Sequence, residues 1–291
     1  MTFSRRTFLQ SSAGIIAASA FSPLSIARPF AKQKLGIALV GLGYYSKDLL
    51  APALQLTQHC ELKGIVTGSP EKAAAWKKQY NLPDKNIYNY QNFDQIANNP
   101  DIDIVYVVLP PFMHEEFVVR AAKAGKHVFC EKPMAMTAKE CENMIKACKD
   151  NKVTLSIGYR CQHDPNTQAY MKIAKEQSLG KIKLVQASAG YVDNRTNHWK
   201  QIKAHGGGAM YDMGVYALQC ARLATAEEPI WVTAQHLTNR PEIYKEVDET
   251  TLFQLHFKSG AVATCSTSFG INTNSLKVNY EKGTLFMEPA T

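Results

Sequence analysis

Hydrophobic residues in the first half of the chain alternate between short continuous apolar runs and longer segments in which they recur at helical spacing. Continuous runs of this kind are typical of strands buried on both faces of a parallel sheet. The intervening segments predict helices, and Ser69 with Pro70 forms a start signal for the second of them. This alternation predicts a doubly wound α/β domain of the Rossmann type over residues 28–158. The runs are LGIALVGLG (35–43), CELKGIVTG (60–68), DIDIVYVVLP (101–110), KHVFC (126–130) and VTLSIGY (153–159).

The pattern changes after residue 158. A helix is predicted over residues 165–177, the strand KIKLVQASAGY follows, and another helix begins near Gly208. Four segments with alternating apolar and polar residues then follow one another, which predicts neighbouring antiparallel strands. Residues 159–291 are therefore expected to form an α+β domain with an open, largely antiparallel sheet. Ligands are expected in the crevice at the carboxyl ends of the first domain's strands.

The first 27 residues have the features of a twin-arginine export signal. Arg5 and Arg6 precede a mildly apolar stretch of small residues, and cleavage after Ala20 or Ala27 fits the small-x-small rule. The stretch is too short and too polar to predict a stable membrane anchor. We therefore expect the twin-arginine machinery to export the folded protein to the periplasm. The alternative is a cytoplasmic N-terminus in which the arginine pair occurs by chance.

Charge and cysteine usage exclude several classes of function. The formal net charge is +8, but lysines are scattered through the predicted helices, which argues against a nucleic-acid groove. A basic protein also suits anionic ligands such as nucleotide phosphates. The seven cysteines form no C-x-x-C pair and the eight histidines show no H-x-x-x-H spacing, so neither a disulfide framework nor a metal site is predicted.

The end of the first strand carries a dinucleotide-binding signal. Gly41 and Gly43 lie between a predicted strand and a predicted helix, where backbone amides can receive a pyrophosphate. Ser46 replaces the third glycine of the usual pattern, but serine is small enough for close helix and strand packing. The alternative is a glycine turn with a purely structural role.

The end of the second strand indicates which dinucleotide is bound. Thr67, Gly68 and Ser69 stand where an NAD-selective site usually offers a carboxylate, and Lys72 follows closely. Hydroxyl groups and a cation suit a 2′-phosphate, which a carboxylate would repel. NADP is therefore the expected cofactor.

Two further motifs carry candidate chemistry. Glu131-Lys132-Pro133 follows the strand KHVFC and places a charged amine at the edge of a buried sheet. In GGGAMYDMGVY, Asp212 and Tyr216 are four residues apart, so a helix would present both on one face. The glycine segment alone could equally cap a core helix.

Together with the nucleotide fold, these motifs resemble those of the glucose-fructose oxidoreductase family, which includes inositol dehydrogenases. The likeness covers about residues 35–291 and extends to IYNYQNFDQIA, GKHVFCEKPMA and IGYRCQHDP. It implies an NADP-dependent oxidoreductase that transfers hydride between an aldose and a tightly held nicotinamide, which a second sugar could reoxidise. It also implies a homodimer or homotetramer formed through the second domain, and a family chain that continues several tens of residues beyond Thr291.

The resemblance also assigns roles to residues. Lys132 matches the catalytic lysine, Tyr216 the tyrosine of the sugar oxidoreductases, and Asp212 the acid that helps to hold the substrate. Thr67, Lys72 and Tyr90 match positions around the 2′-phosphate. His114 matches a loop on the cofactor side, although a helix-capping role is an equal alternative. The predicted cofactor-binding set is Gly41, Gly43, Tyr44, Tyr45, Thr67, Gly68, Ser69, Lys72, Tyr90, Leu109, Pro110, His114, Glu131, Lys132 and Arg160.

Hydride transfer from a hydroxyl-bearing carbon requires a group that removes the hydroxyl proton. A phenol, with an ordinary pKa near 10, is a weak base at neutral pH, so we expect the Lys132 ammonium to favour the Tyr216 phenolate. Arg195, His198 and Trp199 are expected to contact the sugar, or alternatively to form a solvated loop. Two rival functions are an NAD-dependent glycosidase of the same fold and a non-catalytic sugar sensor that carries the cofactor.

Overall fold

The computed structural model describes residues 34–291, and residues 35–291 form one compact unit. The predicted export signal, residues 1–27, lies outside the described residues. Within residues 34–291, every helix is too short or too polar to span a lipid bilayer.

The first domain is a six-stranded parallel sheet in the order β3-β2-β1-β4-β5-β6. This order confirms the predicted Rossmann-type sheet. Strands β1 to β3 are added toward one edge and β4 to β6 toward the other, so a crevice for a nucleotide forms between β1 and β4. Its strands are β1 (Leu35–Val40), β2 (Cys60–Val66), β3 (Ile87–Tyr88), β4 (Ile104–Val107), β5 (His127–Glu131) and β6 (Leu155–Gly158). Its helices are α1 (Ala51–Leu56), α2 (Pro70–Tyr80), α3 (His114–Lys123) and α4 (Ala138–Asp150).

Both faces of this sheet are covered, which explains why its strands read as continuous apolar runs. On one face Val40, Val105 and Val107 pack with Phe117 of α3, and on the other face Leu39 and its neighbours pack against Trp76 of α2. Local signals set the helix boundaries. The Ser69 hydroxyl accepts a hydrogen bond from the Lys72 amide, as predicted for the start of α2.

The second domain is a six-stranded sheet in the order β12-β11-β7-β10-β9-β8. Neighbouring strands are antiparallel except for β7 and β10, which are parallel, so the predicted largely antiparallel sheet is confirmed. Its strands are β7 (Ile182–Gly190), β8 (Pro229–Leu237), β9 (Thr250–Phe257), β10 (Val262–Ser268), β11 (Thr273–Tyr280) and β12 (Thr284–Met287). Its helices are α5 (Pro165–Glu176) and α6 (Val215–Thr225).

One face of the second sheet packs against α5 and α6, while side chains on the other face are exposed. The alternating burial along β9 matches its alternating sequence. Trp231 and Val232 of β8 are 54% and 58% exposed. The open face predicted from the sequence is therefore present in the fold.

Three local features differ from the sequence prediction. The segments before α1 and α6 begin as π-helical turns, at Tyr45–Leu50 and Met210–Gly214. The segment NFDQIANNP, between β3 and β4, forms a 3-10 helix at Phe93–Asn98 instead of an α-helix. Strands β3 and β12 were not predicted, and the two residues of β3 are too few to show a period.

Candidate active site

A cavity of about 740 Å³ lies at the carboxyl ends of β1, β4 and β5, where the two domains meet. The first domain contributes the turn after β1 and the loops after β4 and β5. The second domain contributes the loop between β7 and α6 and the turn that precedes α6. The cavity is therefore at the crevice predicted from the strand order.

The turn after β1 is shaped to admit a phosphate. Gly41 has a φ of +90°, and a Cβ atom there would lie 2.3 Å from the Val108 carbonyl oxygen, so a larger residue does not fit. A Cβ atom on Gly43 would meet no atom within 4 Å. The fully buried Ser46 hydroxyl donates a hydrogen bond to the Gly41 carbonyl at 2.6 Å. Serine at the third glycine position therefore braces the turn without entering the cavity, and the turn fits a dinucleotide pyrophosphate.

Three of the predicted 2′-phosphate residues line one end of the cavity: Thr67, Lys72 and Tyr90. Lys72 is exposed, and its ammonium forms no ion pair with any residue in 34–291. Gly68 and Ser69 are not on the cavity wall. A Cβ atom on Gly68 would lie 3.1 Å from the Tyr90 ring, and the Ser69 hydroxyl caps α2. The two residues shape this end of the cavity, and their contact with the cofactor stays a prediction.

His114 supports the cavity from behind rather than lining it. Its side chain is fully buried, with Nδ1 2.9 Å from the Pro133 carbonyl oxygen and Nε2 2.7 Å from the Leu109 carbonyl oxygen. Burial lowers the pKa of His114, so the neutral ring donates to one of these carbonyls. The ring joins the loop after β4, where Leu109 and Pro110 line the cavity, to the loop after β5. His114 thus has a supporting role in this structure, and its contact with the cofactor stays a prediction.

Lys132 and Tyr216 meet across the domain boundary. The Lys132 ammonium lies 4.7 Å from the centroid of the Tyr216 ring, over its face. Burial raises the pKa of Tyr216, and the nearby Lys132 offsets this only in part. Burial favours the neutral form of Lys132, but Asp212 and Tyr216 outweigh it and raise the lysine pKa. Lys132 therefore favours the Tyr216 phenolate, as expected from the sequence, but burial outweighs it and both groups hold their protons at neutral pH.

Asp212 lies between two ammonium groups. Lys132 Nζ is 3.2 Å from Oδ1 and 2.6 Å from the Asp212 backbone oxygen, whereas Lys200 Nζ is 2.5 Å from Oδ2. Burial opposes ionisation of Asp212, but the two ammonium groups outweigh it and hold the pKa of this carboxyl well below its usual range. The carboxylate is therefore ionised at neutral pH and fixes both lysines.

Sequence reasoning missed Lys200 and Tyr191. Both line the cavity, and Lys200 Nζ donates to the Tyr191 hydroxyl at 2.9 Å. The Tyr191 hydroxyl in turn lies 3.2 Å from Asp212 Oδ2. The only sequence signal is adjacency, because Lys200 directly follows Trp199 in a segment already predicted to contact substrate.

The predicted sugar-contact loop forms a structured wall of the cavity. Arg195 donates to Asp193 Oδ1 at 2.8 Å and to the Tyr191 hydroxyl at 3.2 Å, and its NH1 lies 3.2 Å from His198 Nε2. Trp199 also lines the cavity. Arg195 and His198 are held by these contacts, and the contact of this segment with a sugar stays a prediction.

The remaining predicted cofactor contacts differ in their position. Glu131, Tyr45 and Tyr44 line the cavity, Tyr44 is 72% exposed, and Arg160 is not on the wall. Glu131 accepts a hydrogen bond from the Tyr106 hydroxyl at 2.6 Å, and burial raises the pKa of its carboxyl. Among residues 34–291, no group of three His, Cys, Asp or Glu side chains is placed to hold a metal ion.

Comparison with known proteins identifies the family. A family model described as an oxidoreductase family with an NAD-binding Rossmann fold matches residues 35–159, and the GFO/IDH/MocA C-terminal domain matches residues 167–286. The chain belongs to the Gfo/Idh/MocA family. This confirms the resemblance drawn from the sequence motifs. The family is an oxidoreductase family whose first domain binds a nicotinamide nucleotide.

Individual relatives agree with this membership. The crystal structure of an aldose-aldose oxidoreductase from Caulobacter crescentus is 40% identical with a TM-score of 0.86, over 89% of this chain and 78% of that chain. A 2,7-anhydro-N-acetylneuraminate hydratase from Escherichia coli is 28% identical, over 86% of this chain and 67% of the relative. A D-xylose 1-dehydrogenase [NADP(+)] from Haloarcula marismortui is 27% identical, over 87% of this chain and 72% of the relative.

Proposed function

We propose that this Gfo/Idh/MocA protein is an NADP-dependent oxidoreductase that oxidises an aldose at a ring hydroxyl. The observation that carries the proposal is the meeting of Lys132 and Tyr216, from separate domains, at the carboxyl edge of the nucleotide-binding sheet. The similarity to an aldose-aldose oxidoreductase and to a D-xylose 1-dehydrogenase supports an aldose as substrate.

The proposed reaction breaks one C–H bond and one O–H bond of the sugar. When bound, the nicotinamide would accept the hydride that leaves carbon, and the hydroxyl proton would pass to the Tyr216 oxygen after that phenol has lost its own proton to solvent. The Tyr216 hydroxyl lines the cavity and has no hydrogen-bond partner within residues 34–291, so it is free to bond the reacting oxygen. The Lys132 ammonium, fixed by Asp212, stabilises negative charge on that oxygen.

The NADP assignment is supported by the end of the cavity beside β2. Thr67, Lys72 and Tyr90 surround a space in which the Lys72 ammonium has no ion-pair partner among the described residues. A phosphate dianion is attracted to an ammonium and accepts several hydrogen bonds, whereas the ribose hydroxyl of NAD would gain little from it. No carboxylate stands at the end of β2, where an NAD-selective site usually places one.

Cellular location shapes the rest of the proposal. We propose that the twin-arginine signal exports the folded protein to the periplasm and that the cofactor stays bound, because NADP lost there could not be replaced. Reoxidation by a second sugar on the same cofactor would then complete the cycle. We also propose a homodimer or homotetramer, supported by exposed apolar side chains on the open sheet face, such as Trp231 and Val232. The mass of the particle in solution gives the number of subunits and tests this proposal.

The test is the appearance of the reduced nicotinamide absorbance when single aldoses are added to purified protein and NADP. We expect at least one aldose to reduce the cofactor. Replacement of Lys132 by Met should leave NADP binding within about twofold and lower turnover by roughly 10²- to 10⁴-fold, the usual contribution of a proton-transfer group. Met keeps most of the lysine's apolar length, so packing is retained. A Lys132→Met protein with full turnover would refute the role of Lys132.

A further inference from the structure

The cavity contains two similar lysine–tyrosine pairs, called arms below, that share the carboxylate of Asp212: Lys132 with Tyr216, and Lys200 with Tyr191. On one side Lys132 bonds Asp212 Oδ1 and lies over the ring of Tyr216 at 4.7 Å. On the other side Lys200 bonds Asp212 Oδ2 and lies over the ring of Tyr191 at 5.3 Å. Each arm therefore presents one ammonium and one phenol to the same cavity, but the function proposed above uses only the first.

The second arm has donor capacity that the protein leaves unused. An ammonium has three N–H donors, and Lys200 directs two of them to Asp212 and the Tyr191 hydroxyl. Its side chain is 16% exposed, and it lines the cavity. Since no other acceptor for Lys200 occurs in residues 34–291, its third donor is available to a ligand in the cavity.

The spacing of the two arms restricts what they can bind together. The two ammonium groups bond the same carboxylate, one through each oxygen, so both are held in the same part of the cavity. A sugar that places one hydroxyl beside Lys132 can therefore direct the hydroxyl on the next carbon toward Lys200. Neutralisation of Asp212 does not by itself require Lys200, because Lys132 and Lys200 give two positive charges against one negative charge, a net charge of +1.

We propose that Lys200, held in place by the Tyr191 hydroxyl and Asp212, binds the hydroxyl next to the reacting carbon, so that the site selects substrates with two adjacent hydroxyl groups. This assignment rests on the proposed function, because Lys132 and Tyr216 must bind the reacting hydroxyl. Lys200 acts as a positioning residue that keeps its proton and donates a hydrogen bond. It fixes the sugar so that the reacting carbon faces the nicotinamide side of the cavity.

The test compares a sugar with its deoxy analogue in wild-type protein and in Lys200→Met. D-glucose and 2-deoxy-D-glucose differ only in the hydroxyl next to C1, and D-galactose with 2-deoxy-D-galactose provides a second pair. We expect Lys200→Met to lower kcat/KM about 10- to 100-fold for the parent sugar and less than about threefold for the deoxy analogue, because the analogue lacks the group that Lys200 binds. Tyr191→Phe should give a smaller loss with the same selectivity, and Lys200→Arg should restore part of it.

The matched control is Lys203→Met, which removes an exposed lysine from the same loop outside the cavity wall and should change neither sugar. NADP binding and thermal unfolding of each variant report on its fold. Equal losses for the parent and deoxy sugars in both Lys200→Met and Tyr191→Phe would overturn the assignment while leaving the proposed function intact. If no aldose leads the wild-type protein to reduce NADP, both the assignment and the proposed function would be overturned.

Discussion

Lys72 provides a direct test of the cofactor assignment. It lies in the first turn of α2 and lines the end of the cavity formed by Thr67 and Tyr90. If a 2′-phosphate binds there, replacement of Lys72 by Ala removes one charge-assisted hydrogen bond, and NAD, which lacks that phosphate, loses nothing. The variant should therefore weaken NADP binding and leave NAD binding unchanged.

The magnitude follows from the exposure of the side chain. A hydrogen bond to a charged group contributes about 1.5 to 3 kcal/mol, but Lys72 is exposed and solvent screens its charge. We therefore expect a loss of about 1 to 2 kcal/mol, which corresponds to a rise of roughly 5- to 30-fold in the NADP dissociation constant. Lys72→Glu should weaken NADP binding further, since its carboxylate repels the phosphate.

The assay is a fluorescence titration of NADPH and NADH at an ionic strength of about 0.15 M, where the Debye length is about 8 Å. Lys78→Ala is the matched control, because it removes an exposed lysine from the same helix outside the cavity wall. It should leave both dissociation constants within about twofold. Equal weakening of NADPH and NADH by Lys72→Ala, or weakening of neither, would show that no 2′-phosphate binds beside β2.

Two further predictions concern ionisation in the cavity. Asp212→Asn should lower the free energy of unfolding at pH 7 by about 3 kcal/mol, because it leaves two buried ammonium groups without a counter-charge. Because the pKa of Asp212 is depressed in the folded protein, its charge stabilises the fold above the ordinary carboxyl pKa of about 3.9. The difference in free energy of unfolding between wild type and Asp212→Asn, measured in urea, should therefore shrink as the pH falls below that value. A difference that does not change with pH would argue against this ionisation. Aldose oxidation should accelerate as the pH rises from about 7 to 10, because the buried Tyr216 phenol and the Lys132 ammonium both have raised pKa values and one must lose its proton. A rate independent of pH over this range, measured at saturating substrate, would assign proton removal to another group.

Most of the fold could be predicted because its strands differ sharply in pattern. Strand β1 is buried along nearly its whole length and reads as a continuous apolar run, while β9 alternates and reads as a strand with one open face. The π-helical turn at Met210–Gly214 was not predictable, since a helical pattern does not specify whether a turn contains one additional residue. The parallel pairing of β7 with β10 was also missed, because it joins strands far apart in the chain.

The candidate site was predictable where a motif marks it and not where it depends on local folding. Gly41, Lys132 and Tyr216 carry sequence signals, and all three line the cavity. Ser69 was assigned from its position at the end of β2, but its hydroxyl caps α2. His114 was assigned from its loop, but its ring is fully buried between two backbone carbonyls. The cap by Ser69 was also signalled in the sequence by Pro70, whereas no sequence spacing reveals the two carbonyl contacts of His114.

Asp212 explains how two lysines can remain charged in one cavity. Two ammonium groups this close repel each other, and burial alone favours loss of a proton from each. The carboxylate between them raises the pKa of Lys132, whereas burial keeps the pKa of Lys200 below its ordinary value despite the same neighbour. The two lysines are thus not equivalent: Lys132 is held firmly as a cation beside Tyr216, and Lys200 is the ammonium that yields its proton first. Removal of the Asp212 charge should therefore neutralise the Lys200 arm before the Lys132 arm, so Asp212→Asn should weaken discrimination between the parent and deoxy sugars more than Lys200→Arg does.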